Sequence, residues 1–141
     1  MPKTIKVDAL ASEIMSLLHE YVNDVTSDID SVARGTVKRI KEKAPVRHDG
    51  RKKKYEPGSY RDSWRSTIDE ENSYRKSRIV YAGGHQYSLT HLLENGHRIV
   101  RPDKIDTGRR TQPIAHIKPA EDWAVNELET RTIRRIKENS N

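Results

Sequence analysis

The chain has 141 residues, with 27 Lys and Arg against 21 Asp and Glu, a net charge of +6, and neither Cys nor Phe. Only 33% of it is hydrophobic and 34% is charged, which predicts one domain with a thin core that gains by burying surface against partner subunits. No apolar run reaches the ~18 residues of a membrane span. The start, MPKTIKVDAL, has no apolar stretch of signal-peptide type, and the absence of Cys excludes disulfides, thiolate nucleophiles and zinc–thiolate sites, so synthesis in the cytoplasm is expected.

The first element is a long amphipathic helix. Val7, Leu10, Ile14, Leu17, Leu18, Tyr21, Val22, Val25, Ile29, Val32, Ala33, Val37 and Ile40 recur in steps of three and four, the helical period. Thr4 or Asp8 offers a cap at its start, and Ala44-Pro45 ends it, because the residue before proline avoids helical backbone. About 36 residues at ~1.5 Å each make ~54 Å. That exceeds the width of a 141-residue globule, whose radius of gyration is ~14 Å. The helix must therefore bend, with Gly35 as the weak point, or project one end onto a neighbour. Positions flanking the apolar stripe show no regular charge pairing, which argues against a coiled coil.

The charge excess lies in the middle of the chain. Residues 45–110 carry 15 basic and 9 acidic groups, while residues 1–44 (7 and 7) and 111–141 (5 and 5) balance. Two stretches rich in Gly, Pro and Asp hold most of it and read as loops: one at about 47–57, with Arg47, Arg51, Lys52, Lys53 and Lys54, the other at about 98–110, with Arg98, Arg101, Arg109 and Arg110. Basic loops fit a polyanion, either nucleic acid or an acidic protein surface. Tyr55 is the lone aromatic residue beside the lysine run, so no base-stacking platform is indicated.

Between these loops, Gly58-Ser-Tyr-Arg-Asp-Ser-Trp64 reads as a turn with a short helical turn. Residues 64–70 and 73–82 read as an antiparallel hairpin around Asn72-Ser73, with Trp64, Ser66 and Ile68 on one face. Gly83-Gly84 breaks the chain, and Tyr87, Leu89, Leu92 and Leu93 mark a short helix stopped by Asn95-Gly96. Residues 111–117 suit an edge strand carrying Pro113. Pro119 opens a last helix with Ala120, Trp123, Ala124, Leu128, Ile133 and Ile136 and a basic final turn. The expected class is α+β, a single domain over residues 1–141 in which a long N-terminal amphipathic helix and a C-terminal helix pack on a small antiparallel sheet.

His91-Leu-Leu-Glu94-Asn-Gly-His97 is the most chemical-looking string, since His91 and Glu94 share a helical face. Two core leucines and a helix-stopping glycine explain it as well, and its spacing is not that of known zinc signatures. His85 and His116 stand alone and read as polar loop or strand-end residues. No serine sits in a nucleophile elbow and no glycine loop cradles phosphate, so neither catalytic residue, metal nor cofactor is expected.

Four local strings, in order, resemble the siphophage tail-component family, the small neck proteins of long-tailed bacteriophages that act in head–tail joining or tail completion. They are Lys43-Ala-Pro-Val46; the turn from Gly58 to Ser63, with Tyr60 where Leu is usual; Leu92-Leu-Glu94-Asn-Gly96-His97; and Gln112-Pro113-Ile-Ala-His-Ile-Lys-Pro119-Ala120. The resemblance covers about residues 7–138. It implies a structural virion protein, made in the host bacterial cytoplasm, that forms a ring, a hexamer on the tail side of the neck. Its partners would be head-completion or stopper proteins, tail terminator or tail tube proteins, and the genome DNA passing through the channel, with no membrane. It carries over no catalytic residue and implies scaffold roles for Gly58, Ser63, Glu94, Gly96, Pro113 and Pro119. The basic stretch after Val46 looks like an insertion, and the basic loops are expected to face protein rather than the lumen. The alternatives are a small basic nucleic-acid-binding protein and a small metal hydrolase using His91, Glu94 and His97.

Overall fold

The computed structural model describes residues 7–46 and 56–140, so the basic stretch with Arg47, Arg51, Lys52, Lys53 and Lys54 and the cap expected at Thr4 lie outside the described residues. Helix α1 (Val7–Lys43) is followed by the single-turn α2 (Ser59–Ser63), strands β1 (Trp64–Glu71) and β2 (Lys76–Ala82), a 3-10 turn (Gly84–Leu89) and α3 (Thr90–Asn95). Strands β3 (Arg98–Val100) and β4 (Asp106–Arg110) then lead to helix α4 (Lys118–Glu138). The class is α+β, as expected, with two separate two-stranded antiparallel sheets.

Helix α1 runs 37 residues without a break. No break falls at Gly35. A Cβ there would stand 2.5 Å from the Trp123 ring, so the glycine lets α4 cross closely. The Arg39 guanidinium covers the same ring at 4.0 Å. Every residue of α1 from Val7 to Glu20 is exposed, and its buried residues begin at Asp28. Of the two ways to accommodate the helix's length, projection is the one realised.

Strands β1 and β2 pair from Trp64↔Ala82 to Glu71↔Lys76, with a bulge between Ile68 and Glu70. The Asn72 side-chain oxygen accepts from the N–H groups of Tyr74 and Arg75, both at 2.9 Å, which shapes the turn. Trp64 is buried, but Ile68 is 43% exposed because the hairpin runs out beyond the core. That core holds Ile40, Ala44, Tyr60, Trp64, Ala82 and Ala120, with Val37, Val80, Leu89, Leu93 and Ile117 packed round it.

Two expectations are corrected. Residues 98–110 are not a loop but the hairpin β3–β4, paired at Arg98↔Arg110 and Val100↔Asp106. Aspartates make its turn: Asp103 accepts from the Ile105 N–H at 3.2 Å, Asp106 from the Gly108 N–H at 2.9 Å, and Lys104 and Gly108 take positive φ. Residues 111–117 form no strand, because their donors go elsewhere: Thr111 N–H to His97 O at 2.9 Å, Ile114 N–H to Leu93 O at 2.8 Å, and those of His116 and Ile117 to Glu94.

Ion pairs on both sides of α1 supplement the small core. Asp28 accepts from Arg135 Nε at 2.6 Å and Arg131 at 3.4 Å, and Arg135 also reaches Asp24 at 3.0 Å, which clamps α4. Asp30, about 200° further round the helix, holds Lys76 at 2.8 Å and Arg78, which clamps β2. The Arg135 hydrogen bond holds the Asp28 carboxyl below the usual carboxylate range against the opposing effect of burial. Asp28→Ala removes the carboxylate shared by Arg131 and Arg135, leaving each with one remaining partner, Glu127 at 2.8 Å and Asp24 at 3.0 Å. It is expected to lower the unfolding free energy by about 1–3 kcal/mol in urea melts at neutral pH; an unchanged midpoint would remove the clamp from the account.

Candidate partner-binding surface

Two of the strings that carried the resemblance are joined by one carboxylate, and the other two pack beside them. Glu94, at the end of α3, accepts the His116 N–H at 2.8 Å and the Ile117 N–H at 3.0 Å on Oε2, and the Lys118 N–H at 2.9 Å on Oε1. These are orphan donors at the start of α4, whose own N-cap residue, Ile117, offers no side-chain bond, so Glu94 caps the helix from a distance. His116, read from sequence as a polar loop or strand-end residue, is 0% exposed. Its Nδ1 lies 2.6 Å from the Ile114 carbonyl and 2.9 Å from Glu94, both acceptors, which places a proton on that nitrogen; Nε2 lies 2.7 Å from the Tyr60 hydroxyl. The Tyr60 and Trp64 rings stand edge-on to the imidazole. Burial pushes the Tyr60 hydroxyl up to about 12. Pro45 and Val46 line a recess with Gly58, Tyr60, Leu89 and Leu93, which brings the first string to the same place.

The remaining motif residues fall round this knot. Gly58 precedes α2 with φ 86°, and Ser63 Oγ donates to the Tyr60 carbonyl at 2.7 Å. Gly96 has φ 70°, and a Cβ there would stand 2.4 Å from the Thr111 carbonyl, so a side chain would push the β4 exit away. Pro113 is exposed, while Pro119 sits in the first turn of α4. His91, Glu94 and His97 do not converge: Glu94 points at α4, His97 Nδ1 faces the Thr111 hydroxyl at 3.1 Å, and His91 is exposed. Among the described residues no three metal-binding side chains come together, and no helix is long and apolar enough to cross a membrane. With both Glu94 oxygens and both His116 nitrogens engaged, the knot holds chain segments in place and presents no free base at the surface.

Binding capacity lies on the outside. Arg98, Arg101, Arg109 and Arg110 are all exposed on the β3–β4 hairpin. Arg98 pairs with Asp106 at 3.1 Å and Arg110 donates to the Gly96 carbonyl at 3.4 Å. Among the described residues no carboxylate pairs with Arg101, Lys104 or Arg109. The same hairpin exposes Ile99, Val100 and Ile105, so it is apolar as well as basic. Sequence reading missed this because a polar loop was expected; the signal was three β-branched residues among the arginines. A second exposed apolar surface is the face of α1 carrying Leu10, Ile14, Leu17 and Leu18. A groove of about 500 Å³ between α1, β2 and α4 reaches down to the buried side chains of Val32, Ile40 and Trp64. The Trp64 indole N–H is buried without an acceptor among the described residues.

The knot makes the chain acid-sensitive in a defined direction. Burial pushes the Glu94 carboxyl up, but the three backbone N–H donors outweigh it and hold the net value below the ordinary 4.5. The unfolded state then binds the proton first, so this stabilisation is complete above pH 4.5 and is lost as pH falls below that value through the native one. Glu94→Gln is expected to lose about 1–3 kcal/mol at pH 7 and to show a shallower acid limb in urea melts from pH 7 to 3. An acid limb as steep as in the unaltered chain would assign the sensitivity elsewhere.

Comparison with protein-family models, curated proteins and solved structures finds no match to this chain.

Proposed function

We propose that this chain is a structural virion protein of a long-tailed bacteriophage neck, forming a ring that completes the tail and joins it to the DNA-filled head. The observation that carries the reading is the resemblance in four strings separated by up to dozens of residues, supported by their meeting in one knot around Glu94, His116 and Tyr60. Strings that pack together act as one structural signature. The composition and the surfaces agree with assembly. The buried hydrophobic residues are Val32, Ile40, Tyr60, Trp64 and four alanines, while apolar side chains stand exposed along the start of α1, on the β3–β4 hairpin and elsewhere. Such a chain gains stability by mass action when a neighbour covers those faces. A ring needs different patches on its two sides, and arm and hairpin are different patches.

A free-standing nucleic-acid-binding module is the second reading, and the basic hairpin is what favours it. Against it, the hairpin carries isoleucines and a valine but no aromatic residue on which bases stack. An Arg101→Ser, Lys104→Ser, Arg109→Ser variant is expected to keep the thermal midpoint of the unaltered chain and to reduce the yield of joined particles. Full yield would exclude the hairpin from joining. Electron microscopy of lysates from a phage with a stop codon in place of Tyr21 tests the reading itself. DNA-filled heads beside separate tails are expected, and normal infectious particles would overturn it.

A further inference from the structure

Two of the uncovered apolar surfaces carry opposite charge. From Val7 to Ala33, α1 contains no Lys or Arg; the first is Arg34. The projecting arm, Val7–Tyr21, carries Asp8, Glu13 and Glu20, with Lys3 and Lys6 preceding it outside the described residues. Leu10, Ile14, Leu17 and Leu18 are 44%, 55%, 61% and 41% exposed on that arm. The hairpin Arg98–Arg110 has five basic residues and two acidic ones, and its Ile99, Val100 and Ile105 are 37%, 53% and 56% exposed. Within one chain neither surface covers the other.

Like pairs with like poorly here. Glu13 and Glu20 border the stripe of Leu10, Ile14 and Leu17. Two arms side by side would set these carboxylates against each other or against apolar side chains, with no Lys or Arg of the arm to offset them. Two hairpins would bring Arg101, Lys104 and Arg109 together. An arm on a hairpin removes apolar side chains of both from water and gives the unpaired guanidiniums their carboxylates.

We infer that the acidic arm of α1 in one copy docks on the basic β3–β4 hairpin of a second copy, a head-to-tail contact. Since the two patches differ, each copy keeps one of each free after pairing, and the contact propagates until the assembly closes. Closure into a ring rests on the neck reading; the contact itself does not. The contact carries both an apolar and a charged part, so added salt weakens it without abolishing it.

The absence of Cys makes the test direct, because any disulfide must join introduced residues. Leu17→Cys and Ile105→Cys chains, one of them tagged to differ in size, are purified reduced, mixed and oxidised by a mild thiol oxidant. The mixed disulfide is expected to exceed either homodimer about tenfold, and Glu13→Lys with Glu20→Lys in the arm chain to cut it by about as much. Arg101→Glu with Arg109→Glu in the hairpin chain is expected to restore it against the reversed arm. A dominant Leu17→Cys homodimer would overturn the inference in favour of paired arms. So would an absence of cross-links while the unaltered chain sediments as a monomer, or loss of the mixed disulfide on adding duplex DNA with the hairpin protected. If no cross-link forms and the Tyr21 stop codon still leaves heads and tails unjoined, the contact is lost and the neck reading stands.

Discussion

One carboxylate holds together parts of this chain that no sheet or bundle connects. Residues 111–117 run between the hairpin and α4 without a strand partner, and buried or half-buried backbone in such a segment must find acceptors or lose the free energy of each unmade bond. Glu94 supplies them for His116, Ile117 and Lys118. The negative charge also lies at the positive end of the α4 dipole, where it is favoured. By fixing His116 the same group fixes the imidazole against Tyr60 and Trp64, and with them α2 and the start of β1. Capping from another element serves here as tertiary structure.

The rest of the fold divides α1 into an anchor and an arm. The anchor begins near Asp24 and is held by charge as much as by packing. Asp28 and Asp30 project from nearly opposite sides of the helix, one to Arg131 and Arg135 on α4, the other to Lys76 and Arg78 on β2. Partly buried pairs of this kind orient elements more than they stabilise them, since desolvation opposes the Coulombic gain. Among the described residues, four of the eight buried hydrophobic ones are alanines, Ala33 in the anchor and Ala120 at the start of α4 included. Small residues permit close approach of backbones but bury little area, and Gly35 beneath Trp123 takes that to its limit. Such a core is small, and the arm stands outside it.

Periodicity made the helices legible. The steps from Val7 to Ile40 and the break at Pro45 placed α1, whose last helical residue is Lys43. Pro119 placed the start of α4 within its first turn. Charge and apolar content in 98–110 were both visible, but the alternation that marks a strand was diluted by Asp103, Asp106 and Gly108, the residues that make the turn and bulge. The strand expected at 111–117 failed for the opposite reason: its N–H groups go to the His97 and Leu93 carbonyls and, at His116 and Ile117, to Glu94, contacts across 14 to 23 residues that no local pattern records. His116 does lie in an irregular segment, but its burial was missed, because one histidine between apolar neighbours has no pattern of its own; its partners Glu94 and Tyr60 lie 22 and 56 positions away. The length of α1 posed the choice between bending and projecting, and the exposure of every residue from Val7 to Glu20 shows that its start projects.

The chemistry of the hairpin bears on which way it would face in the proposed ring. A hairpin turned into the lumen would set Arg101, Lys104 and Arg109 against passing DNA in every copy. Each neutralised phosphate adds salt-dependent affinity, so under the neck proposal a ring of such contacts would grip a genome that has to pass. It would also leave Ile99, Val100 and Ile105 in water, where they gain nothing from a phosphate backbone. Turned toward protein, the same residues bury their apolar side chains and meet carboxylates. The mixed character of the hairpin, basic and β-branched within thirteen residues, therefore argues for a protein partner, and the acidic, leucine-bearing start of α1 is the surface of this chain with the matching character.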